Sequence, residues 1–202
     1  MRTRFGMTRD LRTLRGFSLL ELLIVMAITL VVGAMAAPRF TTMVSNYRLK
    51  SSASSVAGIL QQTRMSAVRL NRAVQATSTM NSGLQQLYVD LNANGQVNSG
   101  EPTVIMPKKI TFQSTGAPAD ATANLASVPT TFYTTPPQFN ARGLPCVVVG
   151  ATCSNVDGAN KLVGYVYYLK SDGMFGQTQW AAVTVTPAGR IKTWMYTGSK
   201  FQ

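Results

Sequence analysis

An apolar run from Phe17 to Ala37 constrains this chain more than any other feature. Its only strongly polar members are Ser18, Glu21 and Thr29. A run of this length spans the hydrocarbon core of a bilayer as one helix. Five arginines and one aspartate precede it, so we expect the N-terminus on the cytoplasmic side and the rest of the chain across the membrane.

Composition alone leaves three interpretations of this run open. A secretory signal also combines positive charge with an apolar run, and the AMA triplet at 34–36 offers a small-x-small cleavage site after it. A plain membrane anchor and a more specialised segment fit equally well. We therefore predict a membrane segment, and we infer from the motifs around it whether and where it is cleaved.

Charge and cysteine content limit the partners and the compartment. The formal charge is +12, of which residues 1–16 carry +4 and residues 17–202 carry +8. This excess favours polyanions or anionic surfaces, although a solvated basic face accounts equally well for any single lysine or arginine. In an oxidising compartment the two cysteines, Cys146 and Cys153, favour a disulfide over free thiols. The absence of histidine argues against a zinc site.

The helical pattern continues beyond the apolar run. Pro38 removes one backbone hydrogen bond, so we expect a kink in a helix that continues. Residues 39–71 contain few helix breakers, and five apolar residues fall on one face at about 100° per residue: Val56, Ile59, Leu60, Ala67 and Leu70. This pattern predicts an amphipathic half that packs on a soluble domain.

After Asn71 the chain changes to short segments rich in β-branched or aromatic residues, separated by Gly, Pro, Asn or Asp. Eight segments predict strands: AVQATSTM, LQQLYVDL, TVIM, KITF, TFYT, LVGYVYYL, WAAVTVT and RIKTWMY. Thr, Ala and Pro dominate between Gln113 and Pro137, which predicts a long exposed loop. The expected fold class is α+β, with a long N-terminal helix packed on an antiparallel β-sheet in a domain of residues 72–202.

The segment RGFSLLELLIVMAI resembles the type III signal of type IV pilins and pseudopilins. The shared features are a basic leader, a glycine at the cleavage point, a phenylalanine after it, and an acid four residues further on. The resemblance implies that a prepilin peptidase removes residues 1–16, between Gly16 and Phe17, and methylates the new amino terminus. Pro38 lies where these proteins commonly carry a proline, which gives a transmembrane and assembly helix of residues 17–38.

The acid at Glu21 has a physical use in such a protein. An ionised carboxylate in hydrocarbon is costly, so it needs a partner or must become neutral. Cleavage creates an amino group at Phe17, which a staggered neighbouring subunit can bring to Glu21. Docking then relieves an unpaired charge and sets the register of the assembly. The alternative is an interfacial acid that faces lipid headgroups.

Four later segments resemble the GspH/FimT branch of these proteins: MSAVRLNRAVQ, LYVDLNANG, FNARGLP and VTPAGRIKTW. The resemblance implies a pilin-like fold and a minor subunit that spans the bacterial inner membrane once, with its C-terminal domain in the periplasm, and then enters an envelope filament. Its implied partners are other pilins or pseudopilins, the prepilin peptidase and an inner-membrane assembly platform. A type IV pilus subunit is the leading prediction. A type II secretion pseudopilin without DNA binding is the alternative.

The segment DLNANGQVNSGE matches the spacing of a calcium-binding loop. Its candidate ligands are Asp90, Asn92, Asn94, the Gln96 carbonyl, Asn98 and Glu101. Only two of these are carboxylates, and the flanking segments are predicted strands instead of the helices of an EF-hand. An Asn-Gly turn between strands needs no metal, so we expect no cofactor. Calcium is the candidate ligand if this loop does bind a metal.

The C-terminal segment PAGRIKTWMYTGSKFQ combines the basic residues Arg190, Lys192 and Lys200 with aromatic residues such as Trp194. Basic groups neutralise phosphates and aromatic faces stack on bases, which suits sequence-tolerant nucleic-acid binding. The sequence from Gly189 to Lys192 resembles the Gly-Arg-x-Arg motif of FimT-like minor pilins used in DNA uptake, with lysine for the second arginine.

Double-stranded DNA is therefore a candidate partner, and Arg142 in the ARG triplet beside the cysteine loop is a further candidate contact. The alternative is an ordinary final strand with Arg190 and Lys192 on the solvent face and Ile191 in the core. An enzyme is not expected, because residues 17–202 contain six acids, no histidine, no glycine-rich phosphate loop and no evident nucleophile and base.

Overall fold

The computed structural model describes residues 16–118, 130–150, 152–173 and 178–202, and for residues 37 and 38 the backbone alone. These residues form one helix and eleven strands, which are α1 (Leu19–Leu70), β1 (Val74–Asn81), β2 (Leu84–Asp90), β3 (Thr103–Ile105), β4 (Ile110–Phe112), β5 (Thr130–Tyr133), β6 (Gln138–Phe139), β7 (Val147–Val149), β8 (Thr152–Ser154), β9 (Leu162–Asp172), β10 (Thr178–Val185) and β11 (Ile191–Met195). The chain divides into two compact units, Met1–Phe40 and Thr41–Gln202. The expected leader, apart from Gly16, lies outside the described residues.

Helix α1 passes Pro38 without interruption and ends in a defined C-terminal cap. Asn71 has a left-handed backbone, with φ 50°, and it turns the chain toward β1. The Arg72 amide donates to the Ala67 carbonyl and the Asn71 amide to the Val68 carbonyl, each at 3.2 Å. These two bonds form a Schellman motif, in which asparagine serves because it tolerates the left-handed conformation.

The C-terminal half of α1 is the amphipathic element that its sequence predicts. Six of its apolar side chains are buried against the strands: Leu49, Ala53, Val56, Ile59, Leu60 and Ala67. The expectation for Leu70 is wrong, because this side chain is 39% exposed. Leu70 is the last residue of the helix, and the chain turns away at Asn71 before any strand covers it.

The α+β class is confirmed, since α1 is followed by sheets that are almost wholly antiparallel. The first sheet has the order β3-β2-β1-β6, the second has β11-β10-β9-β4, and β7 and β8 form a separate hairpin. All eight predicted segments contain strands, whereas β6, β7 and β8 were not predicted. Residues 119–129 of the expected long loop lie outside the described residues.

One strand pair departs from the antiparallel expectation. β5 pairs with β9 in parallel, with Thr130 opposite Leu162 and Tyr133 opposite Tyr165. Parallel neighbours need a crossover of a dozen residues or more. The chain between β5 and β9 provides that length and includes β6, β7 and β8.

The second sheet is buried on both faces. On one face it joins the main core with α1, through residues such as Val163, Leu169 and Val183. On the other face lies a second cluster, formed by Val166, Tyr168, Trp180, Ala182 and Phe201. The C-terminal residues complete that cluster, because the Met195 and Gln202 amides donate to each other's carbonyls at 2.9 and 3.0 Å and so fold the chain end back.

Close packing at Gly164 on β9 gives a test of this arrangement. A Cβ atom there would lie 2.7 Å from Phe132 Cε1 and 3.1 Å from the Val185 carbonyl oxygen. We expect Gly164→Ala to lower the free energy of unfolding by about 1–3 kcal/mol through overpacking, measured by denaturant titration of the full chain in detergent. Gly158→Ala is the matched control, because nothing lies within 4 Å of its Cβ position. Equal denaturation midpoints for the two variants would contradict the packing.

Candidate functional site

The N-terminal half of α1 exposes its apolar side chains on every face from Leu19 to Met35. By length and composition α1 can cross a membrane. Glu21 lies in its first turn, where a negative charge complements the helix dipole. No cation pairs with Glu21 within the described part of the chain.

The other polar side chain deep in this run is satisfied within the helix. The Thr29 hydroxyl lies 3.0 Å from the Val25 carbonyl and 2.9 Å from the Met26 carbonyl. Thr29 therefore needs no partner from outside, because local bonds to the preceding turn are the usual solution for a threonine in a helix. The Glu21 carboxylate cannot be satisfied by such bonds within the helix. Glu21 is therefore the polar side chain of this segment that needs a partner from outside.

Two loops that are distant in sequence lie in contact. Residues 140–144 contain Arg142 and Gly143, and residues 186–190 contain Gly189 and Arg190. We refer to them as the paired loops. A Cβ atom on Gly189 would lie 2.8 Å from the Gly143 carbonyl oxygen, so the two backbones touch. Both glycines are buried and left-handed, with φ +72° at Gly143 and +78° at Gly189.

Each of the paired loops is closed by its own hydrogen bonds. The Asn140 side-chain oxygen accepts from the Arg142 amide at 3.0 Å and from the Leu144 amide at 3.1 Å. In the other loop, the Thr186 hydroxyl accepts from the Arg190 amide at 3.2 Å and its carbonyl accepts from the Gly189 amide at 2.7 Å. Asparagine and threonine favour such turns because their side chains bond to nearby backbone amides.

Arg64 of α1 joins the paired loops. Its Nε donates to the Gly143 carbonyl at 3.0 Å, and its Nη1 donates to the Gly189 carbonyl at 3.1 Å. The side chain is half-buried, and hydrogen bonds from a guanidinium are stronger than those between neutral groups. Sequence patterning does not single out Arg64, because one arginine beside an apolar helical stripe normally points to solvent.

The arginines of the paired loops are exposed and carry unpaired charge. Arg142 and Arg190 form no ion pair with any described acid. Lys170 and Asp172 form the one ion pair of the described residues, at 3.0 Å. The predicted candidates Arg142 and Arg190 are thus brought together, which their separation in sequence does not indicate.

The remaining basic candidates, Lys192 and Lys200, lie on β11 and in the turn after it. The Lys192 ammonium is 3.6 Å from the centre of the Trp194 ring, and the Trp194 indole nitrogen donates to the Thr184 hydroxyl at 2.9 Å. A base that stacks on Trp194 would therefore have to displace Lys192 from that ring. Lys200 lies in the turn after β11, bonded through its carbonyl to the Thr197 amide at 3.0 Å, so the whole strand separates it from Arg190.

The alternation expected of an ordinary final strand is present as well. Ile191 packs against the main core while Lys192 is exposed. Phe201 is buried in the second cluster. The structure therefore narrows the polyanion candidates to the paired loops with Lys192 beside them.

The candidate calcium loop is closed by its own two carboxylates. Asp90 accepts from the Asn94 amide at 3.2 Å and from the Gly95 amide at 2.8 Å. Glu101 accepts from the Leu91 amide at 2.9 Å and from the Asn98 amide at 2.8 Å. Both acids are buried, and these bonds compensate their desolvation.

The amide oxygens of the candidate calcium loop are also engaged. Asn92 Oδ1 accepts from the Asn94 amide at 3.2 Å, and Asn94 Oδ1 accepts from the Gln96 amide at 2.9 Å. The Gln96 carbonyl accepts from the Asn98 side chain at 2.9 Å. No group of three or more His, Cys, Asp or Glu residues with metal-binding geometry occurs in the part of the chain that the structure describes. Calcium binding stays a prediction.

The cysteines form the expected disulfide, Cys146–Cys153, with 5.3 Å between their Cα atoms. It closes the β7–β8 hairpin, in which Val148 pairs with Cys153. The Tyr165 hydroxyl donates to the Cys146 carbonyl. Burial raises the pKa of Tyr165 to about 12, so this donor keeps its proton at neutral pH. The disulfide-closed hairpin begins two residues after the loop of Arg142, so the disulfide restrains the chain where it leaves that loop.

Comparison with known proteins identifies the N-terminal segment. Residues 12–37 match a family model described as the prokaryotic N-terminal methylation motif, which confirms the prepilin-like resemblance around Gly16 and Phe17. No curated protein matches the chain significantly.

Among the solved structures that are similar to this chain are a minor pilin and a minor pseudopilin. One is the type IV minor pilin FimU of Pseudomonas aeruginosa, with 17% identity over 78% of this chain and 94% of that chain, at a TM-score of 0.44. The other is the minor pseudopilin EpsH of the Type 2 Secretion System of Vibrio cholerae, with 10% identity over 72% of this chain and 95% of that chain, at a TM-score of 0.40.

The carboxylate bonds of the candidate calcium loop give a prediction. Glu101→Gln should lower the free energy of unfolding by about 1–3 kcal/mol, because a side-chain amide cannot accept from both backbone amides. Asp172→Asn is the control, since its ion pair lies at the surface and contributes little. Both are measured by denaturant titration with a chelator present.

Calcium binding predicts that calcium raises the melting temperature of the parent chain and not that of Glu101→Gln. Identical melting with calcium and with chelator would contradict it.

Proposed function

We propose that this protein is a minor pilin-like subunit of the GspH/FimT kind, which is assembled into an envelope filament through α1. The observation that carries the proposal is the methylation motif at residues 12–37, which coincides with the fully exposed apolar part of α1 and its single acid. A surface of this kind is stable only in a membrane or against the same surface of other subunits. The role is structural, and no catalytic step is proposed.

Processing follows the same motif. A prepilin peptidase of the inner membrane cleaves between Gly16 and Phe17 and methylates the amino group of Phe17. The apolar helix holds the subunit in the membrane with its basic end cytoplasmic and residues 41–202 periplasmic. An assembly platform then moves the subunit into a filament with other pilins, where Glu21 accepts the amine of a neighbour.

The role of Glu21 is tested by removing its carboxylate. We expect Glu21→Ala to leave membrane insertion intact and to reduce incorporation into filaments at least tenfold. The reason is that the variant lacks the carboxylate whose pairing with an amine favours docking. The measurement is the ratio of subunit in sheared filaments to subunit in membranes. Thr29→Ala is the matched control, since its hydroxyl bonds only within its own helix. Normal incorporation of Glu21→Ala would overturn the assignment.

We further propose that the subunit binds double-stranded DNA and serves in a type IV pilus. The support is the exposed, unpaired charge of Arg142 and Arg190 on the paired loops, with Lys192 next to them. Such groups contact phosphates without reading sequence. A type II secretion pseudopilin is the alternative, in which the same residues are a solvated strand face.

A salt titration separates these two functions. We expect micromolar binding of a short DNA duplex at low salt by the full chain in detergent, and loss of at least tenfold in affinity for the double variant Arg190→Ala/Lys192→Ala. Removal of two phosphate contacts should reduce the slope of log affinity against log salt by about 2. Lys108→Ala/Lys109→Ala is the control, because it removes two exposed lysines that are distant in sequence from Arg190 and Lys192. Absence of binding at low salt would leave the structural subunit alone.

A further inference from the structure

We propose that Arg64 is a positioning residue, which locks the paired loops together so that Arg142 and Arg190 act as one phosphate-binding surface for DNA. This inference rests on the DNA binding proposed above and adds one residue, Arg64, and a mechanism to it. Arg142 becomes a phosphate contact of equal standing with Arg190. Arg64 acts through the backbone of both loops without touching the phosphates itself.

The Arg64 side chain bridges the two loops. One guanidinium donates to one carbonyl in each loop, at 3.0 Å to Gly143 and 3.1 Å to Gly189. Both carbonyls belong to the glycine that is the chain neighbour of an exposed arginine. Because a guanidinium is planar and its donors are fixed relative to one another, the two bonds set the distance between the loops as well as holding each loop.

The paired loops are shaped for this contact. A side chain at Gly189 would meet the Gly143 carbonyl oxygen at 2.8 Å, and one at Gly143 would meet Val68 Cγ2 at 3.1 Å and Arg64 Nε at 3.2 Å. Glycine also supplies the left-handed backbone that both positions have. The two triplets, Ala141-Arg142-Gly143 and Ala188-Gly189-Arg190, thus meet at their glycines, and the arginine next to each glycine is exposed.

This contact brings the two charges within reach of neighbouring phosphates. The contact between Gly189 and the Gly143 carbonyl limits the Cα atoms of Arg142 and Arg190 to a separation of at most about 14 Å. Phosphates on one DNA strand recur about every 3.4 Å along the axis, so the pair spans a few nucleotides. The Arg64 guanidinium binds the glycine next to each of these arginines, so its positive charge adds to theirs and favours a phosphate at this surface.

The first test compares two arginines of the same helix. Arg64→Met and Arg69→Met each remove one positive charge from α1, but only Arg64 bonds to the paired loops. Binding of a short DNA duplex of mixed sequence to the full chain in detergent is titrated at several salt concentrations. We expect Arg64→Met to weaken binding about tenfold and to reduce the salt slope by about 1, as one loop disengages, and Arg69→Met to change affinity less than twofold.

The second test changes no charge. Gly189→Ala forces a methyl group against the Gly143 carbonyl and separates the loops, so we expect a similar loss of affinity and of salt slope. Gly83→Ala is the matched control, because Gly83 is also left-handed, at φ +77°, with nothing within 4 Å of its Cβ position. Partial unfolding would reduce the amount of DNA bound without changing the salt slope, so the slope distinguishes positioning from a loss of stability. This test stands even when Arg64→Met does not fold.

The outcomes separate the two proposals. If the parent chain does not bind DNA, or if Arg190→Ala/Lys192→Ala binds as the parent does, the proposed DNA function fails and this inference fails with it. If the parent binds and that double variant does not, while Arg64→Met matches Arg69→Met and Gly189→Ala matches Gly83→Ala, the positioning role of Arg64 alone is overturned. Loss of affinity and salt slope in Arg64→Met but not in Arg69→Met supports it. Where Arg64→Met does not fold, the same difference between Gly189→Ala and Gly83→Ala supports it.

Discussion

Burial of the C-terminal half of α1 against the strands is the interaction on which the rest of the domain depends. Six of its side chains, from Leu49 to Ala67, are buried in the main core. Four of the six are Leu, Val or Ile, and full burial of each of these contributes about 1.5–3 kcal/mol, so this face is a large part of what holds the sheets together. Arg64 lies between Leu60 and Ala67 on the same helix. The position of its guanidinium, and through it the paired loops, therefore follows from the packing of the core.

The placement of the acids explains why the basic charge remains free. Asp90 and Glu101 accept backbone amides of their own loop, and Asp172 pairs with Lys170. The hydrogen bond from Thr131 lowers the pKa of Asp157, which also bonds to the amides of Ala159 and Lys161. Each acid described in the C-terminal unit is thus committed to local structure. No described carboxylate neutralises the charge of Arg142 and Arg190.

Sequence patterning identified most elements and failed at specific places for physical reasons. The helix, its last turn near Asn71 and eight strand segments follow from periodicity and turn residues. Leu70 was assigned to the buried face because a helical wheel does not show where a sheet ends. β6 directly follows Pro136 and Pro137, and Gly150 lies between β7 and β8, so turn residues obscure these short strands. The parallel pairing of β5 with β9 depends on how the intervening chain crosses over. Among the candidate site residues, Arg190, Lys192 and Arg142 were found from local composition, whereas Arg64 was not.

The sequence by itself determined the apolar segment that is long enough to cross a membrane and the N-terminal methylation motif that contains Glu21. It also predicted the disulfide, because each of these features depends on residues close together in the chain. Only the tertiary structure decided which basic residues share a surface. It joins Arg142 to Arg190 and separates Lys200 from both, and it places Arg64 between the loops. The physical reason is that these contacts are made by backbone carbonyls and at glycines that carry no side chain. Such groups are common to every chain, so their meeting depends on the packing of α1 against the sheets and leaves no pattern in the sequence.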